Sequence, residues 1–413
     1  QLAIIDTSPL SEAHMWQGCC VWFCFAVIAD AARLQQYRSS ASYFVVLADP
    51  QPGMSTAFST NPNDHSKEEE MLNRLALKVV NFTPRPSFVF IAGDMQDVWP
   101  KSTSNESAER AAMQRAAVRN AAQKVVDVGI PVYYTPGNHD INDSPSETDI
   151  QSYARRWGPS GQVISPSDSR IDTLLLELNS QLYQDSTGEG ANLLKASQNR
   201  WLQTTLEEKL DPSSTRLIMV LTHIPPFMSD VFEKEGWSNW KRSDRIEVLD
   251  IFIGAIESKN FSSSPRLVWI CGHFHLNMVN MGYKYTQAQG TGLGMDLIVS
   301  AAAGSSMWWM NAHYAGWLSP TEASHVASIP VQGQTGAFMK YIIDFPPVDF
   351  DRYNRNLPYP SRSGLRLFKL CPNGRYEHMW YSLQDLDSDW NPAWKCISCG
   401  GKARRYTGGC AIT

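Results

Sequence analysis

Five short apolar segments of this chain each end in a cluster of polar side chains. Their β-branched and aromatic residues, and the turn residues that follow them, indicate buried strands. The segments are 43–48, 88–92, 132–135, 217–221 and 267–271. Segments with helical periodicity alternate with them, which predicts βαβ units and a mainly parallel sheet. The helical segments are 67–80, 108–128, 197–210 and 244–257, and further strands are indicated at 297–302, 365–369 and 377–383.

Seven residues in the polar clusters have side chains that commonly bind metal ions. They are Asp49, Gln51, Asp94, Asn138, His223, His273 and His275. Because sites in parallel sheets form at the carboxyl ends of strands, these side chains are expected to meet at one place. Each residue alone could be a turn, cap or surface residue. Carboxylates and imidazoles together suit Mn, Fe, Zn or Mg, and two such ions about 3.5–4 Å apart serve displacement at phosphorus.

The order of these residues resembles the motifs of a known superfamily. The motifs Gly93-Asp94, Gly137-Asn138-His139-Asp140, His223 and Gly272-His273-Phe274-His275 resemble those of the calcineurin-like metallophosphoesterases. More narrowly, residues 48–51, 137–141, 178–181, 223–225 and 381–383 resemble the calcineurin-like phosphoesterase domain-containing protein 1 family, whose members are regarded as metal-dependent serine/threonine protein phosphatases. The resemblance implies an α/β fold in which two mixed β-sheets pack as a sandwich flanked by α-helices.

The superfamily pattern implies how these residues share two divalent metal ions. One ion would be bound by Asp49, Asp94, His275 and, where a histidine is usual, Gln51. The other would be bound by Asp94, Asn138, His223 and His273, so that Asp94 is the bridge. A hydroxide between the ions would attack phosphorus. His139 would be the general acid that protonates the leaving oxygen, with Asp97 as the partner that fixes the tautomer of its ring.

Two positions depart from the superfamily pattern. Gln51 replaces an imidazole with an amide, and it either binds an ion or only hydrogen-bonds to a metal-bound water or to Asp49. In phosphoprotein phosphatases, an arginine that grips phosphate follows the equivalent of Asp97, whereas this chain has Val98. Four other cationic side chains could bind the phosphate instead, and the alternative for each is a solvated charge on the protein surface. They are Arg85, Lys101, Arg242 and Arg245.

The leading hypothesis is a metal-dependent phosphomonoesterase, by resemblance a serine/threonine protein phosphatase that acts on a phosphoprotein or a small phosphate ester. The same two-metal core also serves diesters, so a phosphodiesterase or nucleotide pyrophosphatase is the alternative. A non-catalytic scaffold that has lost a metal is a third hypothesis, which only Gln51 favours. The net charge of −5 provides no attraction for nucleic acid, which is not expected as a partner.

The expected organisation is a leader at 1–42, a phosphoesterase domain at 43–388 with an insertion at 307–363, and a tail at 389–413. The apolar run near the start is too short to span a membrane, and no stable membrane span is expected. If residues 15–31 act as a signal peptide, the protein is secreted, whereas the family resemblance implies a cytoplasmic location. No Lys or Arg precedes the run, which weighs against the signal peptide.

Overall fold

The computed structural model describes most of the chain between residues 41 and 304 and two further strands. The described residues are 41–54, 64–100, 104–165, 172–184, 189–228, 230–236, 239–275, 278–286, 292–300, 302–304, 364–371, 374–383 and 386. Residues 1–40 of the leader expected at 1–42, the insertion expected at 307–363 and the tail expected at 389–413 lie outside them.

These residues form alternating strands and helices. The strands are β1 (Ser42–Ala48), β2 (Phe88–Ala92), β3 (Val132–Thr135), β4 (Gln162–Ile164), β5 (Thr173–Glu177), β6 (Leu217–Leu221), β7 (Arg266–Cys271), β8 (Met278–Thr286), β9 (Gly292–Val299), β10 (Gly364–Cys371) and β11 (Arg375–Ser382). The α-helices are α1 (Ser66–Val80), α2 (Asn105–Val126), α3 (Asn138–Ile141), α4 (Glu147–Trp157), α5 (Glu189–Lys209) and α6 (Arg242–Ser258). A 3₁₀ helix (Ser180–Tyr183) follows β5.

The strands form two mixed sheets. The five-stranded sheet has the order β11-β10-β1-β2-β3, and the six-stranded sheet has the order β4-β5-β6-β7-β9-β8. Strands β1, β2 and β3 run parallel, and so do β5, β6, β7 and β9. Antiparallel strands extend these parallel groups: β10 and β11 continue the five-stranded sheet beyond β1, and β4 and β8 form the two edges of the six-stranded sheet. The parallel centres confirm the predicted βαβ units.

Apolar side chains fill three layers of the fold. Between the sheets, Phe44 stacks on Phe88 and Phe368 with ring centroids 4.7 and 4.6 Å apart. The outer face of the five-stranded sheet packs on α1, α2 and α4, and that of the six-stranded sheet packs on α5 and α6. Full burial of one such side chain contributes about 1.5–3 kcal/mol. The predicted sandwich flanked by helices is therefore confirmed.

Most of the predicted elements coincide with observed ones. The five strands that carry the polar clusters all form, and α1, α2 and α6 lie within three residues of the predicted segments at each end. Helix α5 begins at Glu189, eight residues earlier than predicted. The sequence did not predict β4, β5, β8, α3 or α4. Among the described residues, no helix is both long enough and apolar enough to cross a lipid bilayer.

Candidate metal centre and active site

The polar clusters that follow β1, β2, β3, β6 and β7 meet at one edge of the two sheets. Within the five-stranded sheet, the Gln51 N–H donates to the carbonyl oxygen of Asp94 at 2.9 Å. From the six-stranded sheet, the His273 N–H donates to the Asp49 carboxylate at 2.9 Å. The site therefore lies across the carboxyl ends of strands from both sheets, as the strand pattern predicts.

Five of the seven predicted metal ligands have a backbone conformation that L-residues rarely adopt. The φ angle is 44° at Asp49, 30° at Gln51, 54° at Asp94, 74° at His273 and 54° at His275. Each such residue costs on the order of 1–3 kcal/mol, and strain of this kind concentrates where function requires it. Its concentration at these strand ends indicates that the loops are shaped for the site and not for fold stability.

Three potential ligand atoms lie close to Nε2 of His223. Its Nδ1–H donates to the carbonyl oxygen of Ala92 at 2.8 Å, which directs Nε2 into the site. Nε2 lies 3.0 Å from Asn138 Oδ1, 3.2 Å from His273 Nδ1 and 3.4 Å from Asp94 Oδ2. Ligand atoms that share one tetrahedral zinc-sized ion lie about 3.3 Å apart. The spacing of these atoms therefore fits a bound cation.

The charge balance at His223 also favours a cation. Burial lowers the pKa of His223, but the nearby carboxylates of Asp94 and Asp49 outweigh burial and raise the pKa to about 9. The carboxylates thus draw a proton onto the ring when no other positive charge is present. A divalent ion would satisfy the same carboxylates, and its binding would displace that proton.

A second group of ligand atoms shares Asp94 with the first. Carboxylate oxygens of Asp49 and Asp94 and a ring nitrogen of His275 lie within 4.8 Å of one another. Burial raises the pKa of the Asp49 carboxyl, and burial lowers the pKa of His275 to about 3, so its ring is neutral at physiological pH. A neutral imidazole and two buried carboxyl groups are suitable ligands for a second divalent ion.

Gln51 has a buried oxygen atom that no protein group satisfies. Its Nε2 donates weakly to Asp97 Oδ1 at 3.5 Å, whereas Oε1 is buried and has no hydrogen-bond partner. An unsatisfied buried polar oxygen costs about 1–3 kcal/mol, and a metal ion at Oε1 would remove that cost. This observation fits Gln51 as a ligand of the ion that Asp49, Asp94 and His275 would bind.

We expect Gln51→His to strengthen metal binding and to shift the preference toward Zn or Fe, because an amide oxygen is a harder donor than imidazole. The measurement is metal content per chain after chelation and stepwise addition of Mg²⁺, Mn²⁺ or Zn²⁺ to wild type and variant. Identical stoichiometry and metal preference in the two proteins would show that Gln51 binds no ion.

Two glycines allow the motif loops to approach the carboxylates closely. A Cβ atom at Gly137 would lie 2.1 Å from Asp94 Oδ1, and one at Gly272 would lie 2.5 Å from Asp49 Oδ2. Real Cβ atoms essentially never come closer than 3.0 Å to another heavy atom. Any other residue at either position would therefore displace a predicted ligand, which explains glycine at both motif positions.

Asp140 joins two of the loops, a role that the sequence analysis did not assign to it. Its carboxylate accepts hydrogen bonds from the N–H groups of Asp94 at 2.8 Å, Met95 at 3.0 Å and Gly137 at 2.8 Å. Burial and the charge of Asp94 raise the pKa of Asp140 to about 7. The sequence signal that could have indicated this role is the position of Asp140 in the Gly-Asn-His-Asp motif.

His139 lies beside the carboxylate that both ligand groups share, and its N–H donates to Asp94 Oδ1 at 3.0 Å. Its ring Nδ1–H donates to the main-chain carbonyl oxygen of Asp97 at 2.6 Å, not to the carboxylate that the sequence analysis expected. The reason is that Gln114 Oε1 accepts from the N–H groups of Asp97 and Val98 at 3.0 and 3.1 Å, and these bonds fix the main chain there. The carbonyl therefore fixes the tautomer and leaves Nε2 available.

Trp99 packs against the ring of His139, a contact that the sequence analysis missed. The two ring centroids are 4.8 Å apart and the ring planes meet at 83°. Trp99 is only partly buried, so part of the indole is open to solvent beside the site. No motif contains this residue, and its position two residues after Asp97 was the only indication.

Comparisons with known proteins show what this chain is similar to. The sequence profile of a family described as calcineurin-like phosphoesterase matches residues 43–277. Proteins named serine/threonine-protein phosphatase CPPED1 from Rattus norvegicus and Homo sapiens are each 29% identical, across 64% of this chain and 76% of their own length. The protein of that name from Danio rerio is 27% identical across 66% of this chain and 79% of its own. The solved structure titled "Structure of PhoD" aligns with a TM-score of 0.49 and 10% identity over 83% of this chain and 66% of that chain, a likeness too remote to bear on function.

Proposed function

Because this chain belongs to the calcineurin-like phosphoesterase family and is therefore a metallophosphoesterase, we propose that it hydrolyses phosphate monoesters, with phosphoserine or phosphothreonine in proteins as the substrate class. The observation that carries the proposal is the pair of ligand groups that share Asp94, with His139 hydrogen-bonded to the same carboxylate. The relatives named serine/threonine-protein phosphatases support a protein-borne substrate.

In this proposal, the chain provides the ligands of two metal ions, holds the loops of the site in place and donates a proton to the leaving oxygen. Two divalent ions bound by the seven ligands would supply Lewis-acid catalysis of water attack on phosphorus. Asp94 belongs to both ligand groups and would therefore contribute to the binding of both ions. His139 is the general acid: its Nδ1–H is held by the Asp97 carbonyl, and its Nε2 holds the proton for the leaving oxygen. Asp140 keeps the loops of Asp94 and His139 in register.

The test compares an aryl phosphate monoester, the matching diester and a phosphoserine peptide after metal removal and after stepwise addition of divalent ions. We expect hydrolysis of the monoester and the peptide, at a higher kcat/KM than the diester, and only with metal present. Preference for the diester would support the phosphodiesterase alternative instead. If the protein binds metal but hydrolyses none of the three substrates, the hypothesis of a non-catalytic scaffold is supported.

We expect Trp99→Ala to raise KM for aryl phosphates and phosphopeptides by about 2- to 10-fold, because the indole lies beside the general acid and hence beside the leaving group. This range corresponds to the 0.5–1.5 kcal/mol typical of aromatic contacts. Trp99→Phe should retain most of the wild-type KM. Inhibition by inorganic phosphate, which has no leaving group, should be unchanged; if it weakens to the same extent as substrate binding, Trp99 does not contact the leaving group.

A further inference from the structure

None of the described cations that the sequence suggested for phosphate binding is free to take that role. Val98, at the position of the expected arginine, is apolar and buried. Arg85 donates to the carbonyl oxygen of Val128, and Arg245 donates to the carbonyl oxygen of Glu233. Arg242 also approaches the Glu233 carbonyl, at 3.5 Å. Lys101 lies outside the described residues. None of the described candidates is therefore available to a substrate bound between Asp94 and His139.

A different arginine lies on the helix that supports the catalytic loop. Gln114 of α2 bonds to the main chain of Asp97 and Val98, so this face of α2 contacts the loop that carries Asp97. Arg110 lies one turn before Gln114, on the same face. In the β2-α2-β3 crossover, α2 begins at the edge where the site lies and runs away from it. Helical side chains lean toward the N-terminus, which carries Arg110 toward the site.

Arg110 has a buried donor atom that no group in the described part of the chain satisfies. Its guanidinium makes no hydrogen bond or ion pair with the described part of the chain, and its Nε is buried and unsatisfied. The rest of the residue is only partly buried. The positive charge of Arg110 interacts with the Asp97 carboxylate, so the guanidinium lies within electrostatic reach of the loop that carries Asp97. An unsatisfied buried donor is unfavourable unless an anion binds it.

We propose that Arg110 binds the phosphoryl oxygens of the substrate and provides the planar, two-donor contact that Val98 cannot provide. Guanidinium groups match phosphate geometry because two parallel N–H donors can bind two oxygens at once. The inference rests on the proposed function, since it needs a phosphoryl group at the metal centre. It divides substrate recognition in two: Arg110 contacts the phosphoryl group, and Trp99 contacts the leaving group.

The experiment measures binding of inorganic phosphate to the metal-loaded protein by calorimetry, together with KM for an aryl phosphate. Charge-assisted hydrogen bonds contribute about 1.5–3 kcal/mol, so we expect Arg110→Gln to weaken phosphate binding and to raise KM by at least about 10-fold. Arg110→Lys should give an intermediate loss, because it keeps the charge and loses the paired donors. Metal content per chain should equal that of wild type in both variants.

Arg200→Gln is the matched control, since it removes one positive charge from an exposed position on α5 and should leave phosphate binding unchanged. Equal phosphate affinity in wild type, Arg110→Gln and Arg110→Lys would overturn the proposal. So would an equal loss in the Arg200→Gln control, which would indicate a general effect of net charge. A different outcome would contradict the proposed function itself: wild-type protein that binds phosphate but hydrolyses no monoester.

Discussion

Asp94→Asn is expected to lower turnover at least ~10³-fold, or roughly 4 kcal/mol in the activation barrier. The physical reason is that Asp94 belongs to both ligand groups, so its loss affects both ions together. An amide has one oxygen and no charge, so it binds two cations much more weakly than a carboxylate does. The measurements are kcat on an aryl phosphate monoester and metal content per chain, and we expect both to fall.

The fold should survive this substitution. Asp94 lies just after β2 and contacts loop groups such as the His139 N–H, whereas the hydrophobic layers do not include it. Circular dichroism of the metal-free variant should therefore match that of metal-free wild type. Asp127→Asn, the same change at the exposed end of α2, is the control and should leave turnover intact. A folded Asp94→Asn protein with near-normal turnover would exclude a shared carboxylate.

The elements that the sequence predicted best are those with a local signal. Strands β1 and β2 are apolar runs with turn residues after them, and each forms where predicted. The pairing of strands depends instead on distant residues: Val45 of β1 pairs with Leu367 of β10, far along the chain. No local pattern specifies that contact, because strand pairing is set by burial against remote neighbours.

One missed element did carry a readable signal. Helix α4 starts after Ser146, whose side chain accepts from the Asp149 N–H, while the Asp149 side chain accepts from the Ser146 N–H. This reciprocal capping box is visible in the sequence as Ser146 followed three residues later by an acidic residue. The early start of α5 had no comparable signal, since its first residues include Gly190 and Asn192, which are poor helix formers.

In the site too, some features follow from local sequence and others depend on residues far along the chain. Residue type and position after a strand suffice to name Asp49 and His223, because loops at strand ends converge whatever the rest of the chain does. The orientation of main-chain groups is not local: the Asp97 carbonyl meets His139 because Gln114 on α2 binds the neighbouring N–H groups. Arg110, the phosphate-binding residue that we propose, was missed for that reason too, since it lies on a helix and belongs to no motif.

His139→Ala should separate substrates by their leaving groups. A general acid contributes about 10²–10⁴-fold where the leaving oxygen is basic and needs a proton, and far less where the leaving group is already stable. We therefore expect a loss of about 10²-fold or more in kcat on a phosphoserine peptide and a much smaller loss on an activated aryl phosphate. The measurement is kcat for both substrates in wild type and variant, at equal metal occupancy.

The structure gives this expectation a geometric basis and a control. With Nδ1–H held by the Asp97 carbonyl and the main-chain N–H bonded to Asp94, the ring keeps only Nε2 for proton transfer. His139→Ala removes the ring but leaves the main-chain N–H, so binding of the metals should change little. Metal content per chain in the variant is therefore measured beside the kinetics. Equal losses on both substrates would mean that His139 orients the site and does not donate a proton, because orientation acts on every substrate whatever its leaving group.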